Sequence, residues 1–300
     1  MPRFADEPDV PDTQRASASA FPRYEDVTQD GRLTISGIPH FTGPTVWGHL
    51  LAHHPLIAAT QVGVLPIITR MLIEGGGGPI SVGKPITSEG GYQLSHSVDE
   101  HGQVARLHLV TWTSLTAPRA RTHGPHPDGA GEPLYVGRVI SENVFTRPFA
   151  PAGQRKVTRF DVPGVAAVPP ARHHYRPAED LLALPEGATW LEDALAPDEA
   201  PVVFGLAHTD SNQHVNSLVY PRLFEEVALR RVARLGLAAN LLARRVETAY
   251  RKPCFAGDRM RFWLRAFSAG GQPGAVGILV PDDAGAAARP HAFVRVELAP

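Results

Sequence analysis

His208-Thr209-Asp210-Ser211-Asn212-Gln213-His214-Val215-Asn216-Ser217-Leu218-Val219-Tyr220 is the stretch on which the reading of this chain turns. From Val215 to Leu235, apolar residues recur at Val215, Leu218, Val219, Leu223, Val227, Val232 and Leu235, close to a helical period. Arg222, Glu225, Glu226, Arg230, Arg231 and Arg234 fill other positions, and Gly236 offers a stop. Pro221 either opens the main helix, where its missing N–H costs little, or kinks a longer one. Ahead of the stretch, Val202–His208 reads as a strand. Asp210, Asn212, His214 and Asn216 then stand at every second position across a strand-to-helix junction. His208 alternates onto the face of Asp210 if the strand continues. One Asp or Asn is enough to cap a helix, and an Asx turn uses another. Four polar groups exceed that need, so the junction reads either as cap and turn or as a site.

Outward from this junction, strand-like runs follow at Arg244–Arg251, Arg259–Phe267, Ala275–Val280 and Ala292–Leu298. The first half offers Leu33–Ile38, Ile80–Ser88, Tyr92–Val98 and Val104–Leu115, with Val136–Phe145 and Lys156–Val162 as further candidates. Its equivalent of the helix is Thr45–Glu74, interrupted by Pro55, Gly63 and Pro66. Lys84-Pro85 and Lys252-Pro253 each follow the helix of their own half and precede a strand hairpin. The shared order of helix, Lys-Pro, turn and meander reads as two copies of one α+β unit, a helix packed on an antiparallel sheet. The expected division is a disordered tail over 1–30, a first unit over 31–162, a linker over 163–200 and a second unit over 201–300. The linker holds a short helical candidate at Glu179–Leu184.

Composition narrows the function. Three hundred residues suit two domains better than one. A formal net charge of −1 argues against a nucleic-acid partner or an anionic membrane surface. A single cysteine, Cys254, excludes intrachain disulfides and multi-cysteine metal sites. The N-terminus lacks the apolar run of a secretory signal, so a cytoplasmic setting is expected. Pro55–Ile73 is nearly long enough to span a membrane, but its prolines, Gln61 and Arg70 make it core. His53-His54 and His173-His174 lack a third ligand at metal spacing, and Gly75–Gly78 lacks the Lys-Ser/Thr of a phosphate loop. No metal and no cofactor are expected.

Asp210-x-Asn212-x-His214-Val215-Asn216, with Tyr220 four residues on, resembles the signature of the hotdog-fold thioesterases, and most nearly that of the acyl-acyl-carrier-protein (acyl-ACP) thioesterases. Tyr250-Arg251-Lys252-Pro253-Cys254, followed by Gly257-Asp258, resembles the strand those enzymes set opposite the motif. In the plant enzymes that strand carries a catalytic glutamate before its cysteine; here Pro253 stands in the glutamate's place. The resemblance covers roughly residues 201–267. It implies a double hotdog, two fused units each with a long central helix wrapped by an antiparallel sheet, and a homodimer of such chains. The first unit reads Phe41-Thr42-Gly43-Pro44-Thr45-Val46-Trp47 where the motif would recur, so one competent site is expected, in the second unit.

At such a site the helix N-terminus presents unpaired N–H groups and a positive dipole end to an oxyanion. The expected donors are the N–H groups near Val215 and Asn216, with Tyr220 and Arg251 also facing substrate. Asp210 is a candidate general base or nucleophile, Asn212 a positioning group, and His214 a group that polarises the carbonyl or shuttles a proton. Cys254 is either a nucleophile, which needs His214 beside it, or a buried packing residue, and packing is favoured. The expected reaction is hydrolysis of an acyl thioester carried on coenzyme A or an acyl carrier protein. The alternatives are an acyltransferase/decarboxylase or dehydratase of polyketide or fatty-acid type on the same fold, or a non-catalytic acyl-thioester binding protein. The surplus of arginine, with only three lysines among 29 Lys and Arg residues, suits a phosphate-bearing arm or an acidic carrier protein. Arg222, Arg230, Arg231 and Arg251 are the candidate dock.

Overall fold

The computed structural model describes residues 7–300 and divides them into two compact units. The first takes residues 7–33, 37–69 and 76–175; the second takes 34–36, 70–75 and 176–300. The segment 163–200, expected to link them, is shared out: 163–175 counts with the first unit and 176–200 with the second. Among the described residues no helix is long and apolar enough to cross a membrane.

In the first unit, β1 (Arg15–Ala20), α1 (Ile57–Gln61), the start of β2 (Leu65–Gly75), β3 (Ile86–Val98), β4 (Val104–Pro118), β5 (Pro133–Thr146) and β6 (Ala171–Arg172) follow in order. β1, β3, β4 and β5 form an antiparallel sheet in that order. β1 lies inside the stretch expected to be a disordered tail; residues 1–6 of that tail fall outside the described residues. Its Arg-Ala-Ser-Ala-Ser-Ala sequence lacks an apolar face, so only pairing with β3 reveals it as a strand. Leu33–Ile38 and Lys156–Val162, expected as strands, bury apolar side chains without forming strands, and the Ile80 run pairs only from Ile86.

The long helix expected over Thr45–Glu74 is not one helix. Gly43–Trp47, Leu51–His53 and α1 are separate short turns. Gly63, at φ 74°, then ends α1 in a Schellman closure, with Gly63 N–H on Thr60 and Val64 N–H on Ala59. Pro66 follows, and the Ile-Ile-Thr run after it extends as β2. The short turns still do a central helix's work. Val46, Leu51, Leu56 and Ala59 pack on Tyr92, Leu107, Leu109 and Phe145 of the sheet.

The second unit has one long helix. β7 (Ala188–Trp190), β8 (Ala196–Pro197) and β9 (Val202–Val203) precede α2 (Val219–Arg234); β10 (Leu242–Tyr250), β11 (Arg259–Ala269), β12 (Gln272–Pro281) and β13 (Ala292–Ala299) follow it. The sheet runs β10, β13, β12, β11, β7, all antiparallel, and residues 70–74 of β2 pair with β10. Pro221 sits in the first turn of α2, where its absent N–H is not missed. Gly236, at φ 76°, closes the other end, with Leu237 N–H on Val232 and Gly236 N–H on Ala233. Tyr220, Phe224, Val227, Ala228 and Val232 form the buried stripe of α2. Phe224 lies over Gly277 of β12, where a Cβ would come within 2.6 Å of the ring.

Between the turn Ala178–Leu182 and the short strands β7 and β8, residues 176–199 run irregularly, so many of their carbonyls need donors from elsewhere. Arginines supply them. Arg70 donates to the carbonyls of Arg176 and Pro177. Arg295 reaches Asp180, Leu181 and Ala183. Arg265 donates to Glu192, Arg231 to Ala196 and Pro197, and Arg261 to Asp198 and Glu199. A guanidinium with five donors in a fixed fork suits several adjacent carbonyls at once. Beneath this strap, Ala178 and Leu181 of the turn Ala178–Leu182 pack on Ala249, Ile278, Val280 and Phe293. Part of the arginine surplus is therefore engaged with the chain's own carbonyls, and the expected dock loses one residue to it. Arg231 is buried with its second donor on Glu192, whereas Arg230, paired with Asp198, keeps 44% of its side chain exposed.

Candidate active site

The 208–220 stretch is a tight loop rather than a strand running into a helix. Thr209 bridges Val215 in antiparallel fashion. Asn216 N–H donates to the His208 carbonyl at 2.9 Å, Asp210 N–H to His214 at 3.2 Å, and Gln213 N–H to Asp210 at 3.0 Å. This closure holds Gln213 at φ 65°, the one non-glycine positive φ among the described residues. Strain of about 1–3 kcal/mol is tolerated only where the surroundings fix it, and such positions cluster at functional sites. The strand expected over Val202–His208 stops at Val203. His208 lies in the turn Leu206–His208 and its Nδ1 accepts the Gly205 N–H at 2.9 Å. The alternation that put it on the face of Asp210 is absent.

The carboxylate of Asp210 organises the loop. Oδ1 accepts the Asn212 N–H at 2.8 Å, and Oδ2 accepts Asn216 Nδ2 at 3.0 Å. Asn216 caps α2: its Oδ1 takes the Leu218 N–H at 2.8 Å, and its carbonyl takes the Val219 N–H at 3.0 Å. Val215 N–H donates to the Cys254 carbonyl at 2.8 Å. The N–H groups of Val215 and Asn216, expected to face an oxyanion, are thus both bonded to carbonyls. Asn212 is exposed, and among the described residues its carboxamide has no hydrogen-bond partner.

His214 is half-buried, with Nδ1 3.1 Å from the Val215 carbonyl. A carbonyl oxygen only accepts, so Nδ1 carries the proton. In the neutral ring Nε2 then keeps its lone pair. The loop thus holds the His214 ring by its own backbone and carries, two residues earlier, the amide side chain of Asn212 open to solvent.

From β10 and the turn after it, two residues hold this loop, Tyr250 and Cys254. Tyr250 donates its hydroxyl to the Ser217 carbonyl at 2.8 Å, just before α2. Tyr220 accepts the Cys254 N–H at 3.1 Å, and its ring meets that of Tyr250 edge-on at 5.6 Å. Tyr220 is buried, while Arg251 is exposed. Cys254 is fully buried, and the histidine beside it is His291, with Nδ1 3.2 Å from Sγ. Burial pushes the Cys254 thiol up to about 11 and pushes the His291 imidazole down, so both are neutral near pH 7. A neutral, enclosed thiol is a poor nucleophile. Cys254→Ser is therefore expected to cost thioester turnover less than about tenfold, short of the 10²–10⁴ of an acid–base group. In native protein the thiol should resist a thiol reagent at pH 8 and react on unfolding; rapid native labelling would contradict its inert role. Tyr250 and His291 carry no sequence signal of these roles, since both are set by pairing across strands. Among the described residues no group of three or more His, Cys, Asp or Glu side chains could hold a metal ion.

No protein-family model matches the chain, and no curated protein matches its sequence. Solved structures do match. The 12:0-ACP thioesterase from Umbellularia californica aligns over 95% of this chain and 94% of its own, at 13% identity and a TM-score of 0.58. A Lactobacillus plantarum protein described as an oleoyl thioesterase aligns over 95% and 94%, at 14% identity and a TM-score of 0.58. An acyl-ACP thioesterase from Bacteroides thetaiotaomicron aligns over 95% and 98%, at 15% identity and a TM-score of 0.50. The fold is the α+β double hotdog, with a continuous central helix in the second unit and a broken one in the first.

Proposed function

We propose that the second unit hydrolyses an acyl thioester to the free acid, with His214 as the general base. The observation that carries this reading is the Nδ1 contact of His214 with the Val215 carbonyl, which leaves Nε2 basic at the head of α2. Water attacks the thioester carbonyl while Nε2 takes its proton; the C–S bond then breaks and the thiolate recovers that proton from the imidazolium. The carboxamide Nδ2 of Asn212 donates to the developing oxyanion in place of the two N–H groups already engaged. Asp210 acts on both, by fixing the Asn212 backbone and the Asn216 cap. The substrate is carried on coenzyme A or an acyl carrier protein, a reading supported by three whole-chain structural neighbours that bear thioesterase names.

The test is release of free thiol and free acid from acyl thioesters of several chain lengths on both carriers. Turnover on at least one is expected. Folded protein that turns over none of them sinks the proposal. Transfer of the acyl group to a second carrier, or release of carbon dioxide, would point to the acyltransferase/decarboxylase instead.

A further inference from the structure

The first unit holds a second cluster of titratable groups, unconnected with the 208–220 loop in sequence. His108 of β4 is 7% exposed and stands opposite Ser95 of β3 and Val144 of β5. Its Nε2 lies 2.9 Å from Ser97 Oγ, and its buried Nδ1 has no hydrogen-bond partner. The ring of His173 stacks on it, with centroids 4.0 Å apart and planes within 19°. His173 Nε2 is 3.6 Å from Glu142 Oε2.

The segment that brings His173 there is short and latched twice. β6 pairs in parallel with Ser95 and His96 of β3, and His173 N–H donates to the His96 carbonyl at 2.8 Å. His96 Nδ1 donates to the Pro169 carbonyl at 2.7 Å. The chain leaves the first unit immediately afterwards, at residue 176. We propose that residues 169–175 form a proton-sensitive latch, released from the first unit's sheet when His108 takes up a proton.

The charges around His108 argue for this. Arg106 comes from its own strand, His96 from β3 and His173 from the latch; the carboxylate in the cluster, Glu142 of β5, sits against His173. A proton on His108 would meet burial first, then these positive or protonatable neighbours, so the closed latch holds the imidazole down to about 3. Once the latch opens, the ring regains water and its ordinary affinity near 6.5. The sign follows. A lowered closed-state value means the closed form is fully favoured above pH 6.5 and loses ground as pH falls toward 3. Each unit in that window favours opening about tenfold.

Amide hydrogen exchange on the full chain tests this, after correction for the intrinsic pH dependence of exchange. Protection of the His173 amide should fall about fiftyfold between pH 6.5 and 4.5. The Leu109 amide of β4 should keep its protection. His108→Phe and His108→Gln should each flatten the His173 response. Equal loss at Leu109, an unchanged slope in either folded variant, or full His173 protection at pH 4.5 would overturn the latch. Should both variants misfold, the wild-type ring decides: a His108 NMR titration near 6.5 with His173 still protected refutes the proposal, and a ring neutral at pH 4.5 while closed supports it.

Discussion

His214→Ala should lower kcat for acyl-thioester hydrolysis by about 10²–10⁴, the scale of a lost acid–base group. The ring's contact within the loop is a single hydrogen bond, to the carbonyl of its neighbour Val215. Asp210→Ala should behave differently. It removes acceptors for Asn212 N–H and Asn216 Nδ2 together, so stability should also drop, by about 0.5–2 kcal/mol as for a lost cap. Activity should fall as well, since the loop that carries His214 and Asn212 loses its closure. The pair of variants separates two mechanisms. If Asp210 were the nucleophile and water opened the anhydride at the Asp210 carbonyl, a single turnover in ¹⁸O-water would place label in its carboxylate. If it is the positioning group proposed here, no label enters the protein. Normal turnover by His214→Ala would remove the imidazole from the chemistry altogether.

The fold was readable from the sequence where periodicity and punctuation agree. The apolar stripe of α2 and the stop at Gly236 are local properties, and so are the alternating runs that became β4, β11 and β13. Apolar content alone does not distinguish helix from strand, and this is why one helix over Thr45–Glu74 is expected from the sequence but not found. The Ile-Ile-Thr run after Pro66 favours β, and Gly63 with Pro66 marks the break. β1 was invisible because its Ala-Ser alternation carries no hydrophobic signal. In the site, the Asp-x-Asn-x-His pattern located the loop but not its hydrogen bonds. Asp210 and Asn216 make the cap and the turn, and the same bonds fix the backbone on either side of His214. The partners of Cys254 were beyond reach, because the register that brings His291 to its side is set by pairing across the sheet.

Glu247→Ala should destabilise the second unit by about 3–5 kcal/mol, the largest stability effect expected of a single substitution here. Glu247 of β10 and Arg70 of β2 face each other at 2.7 Å with side chains 8% and 6% exposed, and Arg176 approaches the same carboxylate oxygen at 3.3 Å. Removing the carboxylate leaves the Arg70 guanidinium enclosed without its counter-charge. That charge cannot be shed, because arginine does not deprotonate in proteins. Arg70 would keep its bonds to the Arg176 and Pro177 carbonyls, so the strap should lose its anchor only partly. Two further variants separate charge from contact. Glu247→Gln retains an acceptor of the same shape and should recover part of the loss. Arg70→Met with Glu247→Leu removes both charges and should lie within a few kcal/mol of wild type, on either side, since desolvation of the pair offsets its attraction. Urea unfolding followed on Trp190 and Trp263 fluorescence would report all three. A Glu247→Ala transition coinciding with wild type would mean that water reaches Arg70 and that the strap is held chiefly by its carbonyl bonds.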